Sequence, residues 1–124
     1  MKEVSKMNVW LDDIRDPRVF APGGLMDRED ASWREVEPER DWEWVHNKEE
    51  LKELLNSTEG RIEIMSFDHD LGLGEPTGYD IIKWLAEEHI DRYPIETRVH
   101  SANPIGAENM RTYDKNVRKH LLNE

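Results

Sequence analysis

Cysteine is absent from this 124-residue chain, which excludes disulfides, thiolate zinc sites and cysteine nucleophiles and suits a reducing compartment. No apolar run approaches the roughly 20 residues needed to cross a bilayer, and the opening stretch, residues 1–8, has no signal-peptide core. The expected location is the cytoplasm, with no membrane partner. Basic residues are also short: 17 Lys and Arg stand against 28 Asp and Glu, giving a formal net charge of −11. Such a surface repels nucleic-acid backbone and anionic lipid, so a DNA duplex is not expected as a partner. A phosphate-bearing substrate enters only where a metal ion or local arginines reverse the field.

What is present suffices for one domain spanning 1–124. Hydrophobic and charged residues each make up 36%, but the apolar ones come in compact runs, as in a folded chain. Met7–Leu11 reads as a buried strand that stops at Asp12-Asp13. Residues 16–41 carry Pro17, Pro22, Gly23, Gly24, Pro38 and many charges. They form a long loop, either a lid over the site or a surface insertion. Trp42–Val45 is a short edge strand. Asn47 caps a helix to about Asn56 with Leu51, Leu54 and Leu55 inward. Ile62–Phe67 is the next strand, ending at Asp68-His69-Asp70. Thr77 caps a helix to about Arg92 with Ile81, Ile82, Leu85 and Ala86 on its inner face. A fourth strand covers 97–100. Asn103-Pro104 opens the last helix, whose apolar face is Met110, Tyr113, Val117 and Leu121.

Strands alternating with helices predict a parallel sheet with right-handed crossovers. At this length the flavodoxin-like order 2-1-3-4 is the economical one, a three-layer α/β sandwich. In such sheets ligands bind beyond the carboxyl ends of the strands, where strand order reverses. Three neighbouring strands end there in Asp12-Asp13, Asp68-His69-Asp70 and His100-Ser101. A single Asp after a strand is ordinary turn chemistry; three acidic or imidazole-bearing ends together are a candidate site.

Carboxylates so placed repel one another unless a cation or proton lies between them. Asp12, Asp13, Asp68 and Asp70 are candidate ligands for a divalent metal, Mg²⁺ or Mn²⁺ first, with imidazole widening the choice toward iron or zinc. His69 and His100 are candidate proton carriers. The start of the last helix offers backbone N–H groups to a phosphate, helped by Ser101 and the small Gly106. Arg15 is placed either as a phosphate clamp or as a plain surface arginine. His46, His89 and His120 read as structural. Trp10, Trp44 and Trp84 read as core, and Trp33, in the long loop, as a possible stacking surface for a ligand.

Together these segments resemble the receiver superfamily of two-component signalling. Asp12-Asp13 looks like its acidic pair, Asp68 like its phosphoacceptor and Ser101-Ala102 like its Ser/Thr-Ala. The departures are the lack of a fifth strand and its lysine, a first helix replaced by the loop, and the two histidines. The runs Leu11-Asp12-Asp13-Ile14-Arg15-Asp16-Pro17, Phe67-Asp68-His69-Asp70-Leu71-Gly72 and His100 through Met110 are similar to a narrower group, the cyclic-phosphate-processing receiver domains of bacteria and phages. That resemblance implies a metal-assisted phosphoesterase acting on cyclic phosphates of nucleotides or RNA ends, with Ser101, Asn103 and Asn109 positioning the phosphate. The alternatives are a binding or phosphoacceptor module without turnover, and an accessory protein. An exposed sheet edge would favour a homodimer or protein partner.

Overall fold

A computed structural model of the chain describes residues 7–17, 41–101 and 103–123. Of the expected loop 16–41, residues 18–40, with Trp33 among them, lie outside the described residues. Four strands, β1 (Met7–Leu11), β2 (Trp42–Val45), β3 (Ile62–Phe67) and β4 (Glu96–Val99), form one sheet in the order β2-β1-β3-β4. Every neighbouring pair is parallel. The helices are α1 (Lys48–Asn56), α2 (Gly78–Glu88) and α3 (Pro104–His120), with a 3₁₀ turn at Ile90–Arg92.

Side-chain alternation divides the sheet into two faces. Val9 and Leu11 of β1, Val45 of β2, and Met65 and Phe67 of β3 join Leu51, Leu55, Ile81, Ile82, Leu85, Met110 and Val117 from the helices in one buried core. Each such side chain contributes roughly 1.5–3 kcal/mol by leaving water. Trp10 faces the other way, in register with Trp44 and Ser66. The three described helices therefore share one face, and the expected third layer falls outside the described residues. No fifth strand occurs among the described residues, and β2 and β4 are the edges of the sheet.

Local chemistry sets the helix ends. Asn47 accepts from the Glu50 N–H to start α1, and Thr77 and Asp80 form a reciprocal capping box at the start of α2. Three expectations need correcting. First, α2 stops at Glu88 rather than near Arg92: His89 leaves the helical region (φ −138°, ψ 45°), and the separate 3₁₀ turn follows before Tyr93 turns extended ahead of Pro94 (φ −54°, ψ 136°). The turned-back Arg92 instead donates to Gly60 O, Leu55 O and Thr58 Oγ1. Second, Leu121 is 57% exposed, and its neighbour Leu122 packs on the core. The chain leaves the helix at Leu121, which rotates the apolar contact on by one residue. Third, the fourth strand begins at Glu96, one residue early, and His100 lies just past it.

The far end of α3 is tied to the strand before it. Tyr93 is fully buried, and its hydroxyl donates to Asp114 Oδ1 at 2.8 Å. Arg118 donates to Pro94 O, Ile95 O and Thr97 Oγ1. Burial and the Asp114 charge push the Tyr93 phenol well above its ordinary range. No described helix is long and apolar enough to cross a membrane.

Candidate functional site

The sheet hydrogen-bond ladder runs one residue beyond three of its strands. The Asp12 N–H donates to Val45 O at 3.1 Å, the Asp68 N–H to Leu11 O at 2.9 Å and the His100 N–H to Phe67 O at 3.0 Å. The first residue after each of β1, β3 and β4 is thus fixed by its own amide to the strand beside it.

The expected convergence on this edge is present, and only part of the expected set takes part. Asp12, Asp13 and Asp68 each present a carboxylate oxygen, all within 4.8 Å of one another. Asp12 is fully buried and Asp68 is 6% exposed. Asp70 points out, its side chain 69% exposed, with Oδ1 3.0 Å from His69 Nδ1. It therefore stands outside the carboxylate cluster. Arg15 lies against the cluster, its Nη1 3.6 Å from Asp12 Oδ2 and 4.0 Å from Asp68 Oδ2.

Asp12 is the most heavily bonded residue of the group. Its Oδ1 accepts from the Ile14 and Arg15 N–H groups at 2.9 and 2.8 Å, and its Oδ2 accepts from His100 Nε2 at 3.0 Å. Burial pushes the Asp12 carboxyl up, but the His100 bond and the two amide bonds outweigh it and hold the group below its ordinary range. Asp68 goes the other way. Burial, then the neighbouring Asp12 charge, raise it, and His100, the His69 amide and Arg15 offset only part of this. Such a pair, one carboxyl low and one high, is what two close acids become in the absence of a cation. Hard oxygen donors at this spacing fit a divalent ion.

The two histidines differ. The His100 ring has both nitrogens engaged, Nε2 on Asp12 and Nδ1 on Ser66 Oγ at 2.6 Å. It also stacks flat on Trp10, centroids 3.8 Å apart and planes 4° from parallel. As an acceptor-only carboxylate, Asp12 requires the proton on Nε2. Ser66 is 3% exposed, so this Ser-His-Asp line is a buried brace and offers no accessible nucleophile. In His69, Nδ1 is held by Asp70, and Nε2 has no partner among the described residues. One face of the ring lies against the first turn of α3, where a Cβ built on Gly106 would come 2.5 Å from Cγ and Cδ2.

Gly106 thus makes room for His69, a tighter constraint than openness to a phosphate. Gly78 does the same for the neighbouring backbone. A Cβ there would overlap the Asp68 carbonyl, while its N–H donates to His69 O at 2.8 Å. Ser101 and Asn103 build the helix start: Ser101 Oγ accepts from the Asn103 N–H and Asn103 Oδ1 from the Gly106 N–H, both at 3.0 Å. Asn109 is exposed on α3.

Three supporting residues were not foreseen as part of the site. Trp44 Nε1 donates to Asp12 O at 2.7 Å and Trp10 Nε1 to Arg15 O at 2.9 Å, so these tryptophans pin the loop after β1 as well as filling space. Ser66 is the third. Its signal was a lone hydroxyl within an apolar strand, two residues before Asp68. His46 pairs with Glu50 at 2.7 Å and lies against Trp44, ring centroids 4.4 Å apart, as a helix-start contact.

Comparison with known proteins adds the family. No curated protein and no solved structure matches the chain. A family model does match, over residues 7–116, a span holding β1 through most of α3 and every residue of the site above. The four-stranded parallel sheet, the carboxylate cluster at its switch point and this match lead to one conclusion: the chain belongs to the cyclic-phosphate processing receiver domain family.

Proposed function

We propose that the chain is a phosphoesterase that opens a cyclic phosphate on a nucleotide or an RNA end. The observation that supports it most is an imidazole with one nitrogen braced and the other unpartnered, carried by His69, whose own N–H donates to Asp68 of the three-carboxylate cluster. Hydrolysis adds one water across a P–O bond: the hydroxyl goes to phosphorus and a proton goes to the departing sugar oxygen. A proton carrier near neutral pH is therefore needed next to the phosphorus.

A divalent ion would be held by Asp12, Asp13 and Asp68, and when bound it would supply charge neutralisation and Lewis-acid polarisation of the phosphoryl group. The remaining work falls to the chain. His69 exchanges the proton through Nε2, and Asp70 holds the ring and fixes its tautomer. His100 and Ser66 keep the Asp12 carboxylate aimed at the cluster. Arg15, 37% exposed, can leave its two carboxylates for a phosphate oxygen. The first turn of α3 closes one side of His69.

The test is turnover of 2′,3′- and 3′,5′-cyclic nucleotides and of RNA oligomers with cyclic ends, with and without Mg²⁺ or Mn²⁺. His69→Ala should cost about 10²–10⁴-fold in kcat, the range of a lost general acid–base group. No turnover across the panel by folded, metal-supplied protein would sink the proposal in favour of a module that binds without reacting.

A further inference from the structure

Five large apolar side chains stand exposed among the described residues, and the three most exposed are Ile14 at 79%, Leu73 at 106% and Ile105 at 75%. Each is the sequence neighbour of a residue at the site. Ile14 follows Asp13, Leu73 follows Gly72, and Ile105 precedes Gly106. A Cβ at Gly72 would be 3.7 Å from Asp13 Oδ2 and one at Gly106 2.5 Å from the His69 ring, and Asp13 meets Asp68, the residue before His69, in the carboxylate cluster. Scattered surface leucines need no explanation. Three on the two loops and the helix start that meet around one polar centre do.

The backbone holds Leu73 out. The Glu75 N–H donates to Gly72 O at 3.2 Å, closing a four-residue turn whose third residue, Gly74, has φ +80°. That is the position where a type II turn requires glycine, and it sets Leu73 at the outer corner. Gly72, at φ +112°, precedes it, while Leu71, two residues before Leu73, is 4% exposed. The charge around the collar narrows the ligand. Asp13, Asp70 and Glu75 stand on the same loops, in a chain of net charge −11. A long polyanion would be repelled. A ligand with one phosphate at the centre and an uncharged, apolar-faced body fits both parts.

We propose that Ile14, Leu73 and Ile105 grip the base of a mononucleotide-sized ligand whose single phosphate occupies the carboxylate cluster. The site would then read a nucleoside phosphate and discriminate against base-free phosphate esters and long RNA. The inference rests on the proposed function only for where the phosphate sits.

Calorimetry in saturating Mn²⁺ tests it without requiring turnover. Titrated ligands are adenosine 3′-monophosphate, glycerol 2-phosphate and a 12-nucleotide RNA with a 3′-phosphate, against wild type and the triple variant Ile14→Ser, Leu73→Ser, Ile105→Ser. The replaced side chains are solvent-facing, and an unchanged melting curve verifies the fold. Wild type should prefer the nucleotide over the glycerol ester by about tenfold. In the triple variant that ratio should fall to near one, and the oligomer should bind no tighter than the mononucleotide. Equal affinity for both esters in wild type, a preference that survives in the variant, or tighter binding of the oligomer would overturn the proposal. A collar for a protein partner would give the first of these results. Kinetics with adenosine 2′,3′-cyclic phosphate and glycerol 1,2-cyclic phosphate separate the two readings. Equal kcat/KM would remove the collar and leave the enzyme standing. No turnover, with a nucleotide preference that the variant abolishes, would remove the enzyme and leave the collar.

Discussion

Replacing Gly106 by alanine isolates the packing of His69. Gly106 is the third residue of α3 and carries no positive φ, so its backbone accepts alanine. Alanine there gains up to about 0.5 kcal/mol from helix propensity, about half the interior value because the site is in the first turn. Against this, the new methyl would sit 2.5 Å from two carbons of the His69 ring and 3.0 Å from its Nδ1. Ordinary carbon–carbon contact is near 3.5–4.0 Å, so the ring must move by about 1 Å. Overpacking of this kind costs about 1–3 kcal/mol. Gly106→Ala should therefore lose about 1–2 kcal/mol in wild type. In a His69→Ala background, with the obstacle gone, it should gain about 0.5 kcal/mol. The coupling, about 2 kcal/mol, is read from four urea unfolding curves followed by tryptophan emission. Equal effects of Gly106→Ala in both backgrounds, within ~0.5 kcal/mol, would refute the placement of the imidazole on the helix start.

Gly78→Ala should be harsher, because the atom in the way is the Asp68 carbonyl, which has no rotamer to escape into; a loss above about 3 kcal/mol in urea is expected. Tyr93→Phe should cost about 1–1.5 kcal/mol by the same measurement, since Asp114 loses one buried donor and keeps Arg118 at 3.2 Å. Asp68 titrates above its ordinary range, through burial and the Asp12 charge. It thus favours folding below the unfolded Asp value of about 3.9, and that contribution is lost as pH rises through the folded value. Asp68→Asn should accordingly raise the melting temperature of metal-free protein at pH 7, with the gain fading on acidification below the ordinary range. Hundredfold excess of Mn²⁺ over its Kd should stabilise wild type by about 2.7 kcal/mol and Asp68→Asn by far less, as melting with and without metal would show.

The strand order and the location of the site were legible because β1 and β3 are apolar runs cut off by acids, and because parallel topology sends all such ends to one edge. Direction was less legible. Asp68 and Asp70 look equivalent in sequence, but the chain turns away after Asp68, so one enters the cluster and the other braces a histidine. The difference between His69 and His100 depends on Ser66, 34 residues from His100 and brought near only by strand pairing. The stop of α2 at His89 was hidden, because Pro94 restrains only Tyr93 and nothing nearer breaks the helical pattern. The service of Gly106 to His69 has no local signal, since a helical glycine looks the same whether or not a ring lies on it.

The ladder bonds from Asp12, Asp68 and His100 to Val45, Leu11 and Phe67 have a consequence for how the site is lost. These amides lie within the sheet's cooperative unit, so their hydrogens should exchange with solvent only when the whole molecule opens. Fraying of these strand ends would therefore disperse the carboxylate cluster, and slow exchange at these three positions would mark the fraction of molecules in which it is assembled.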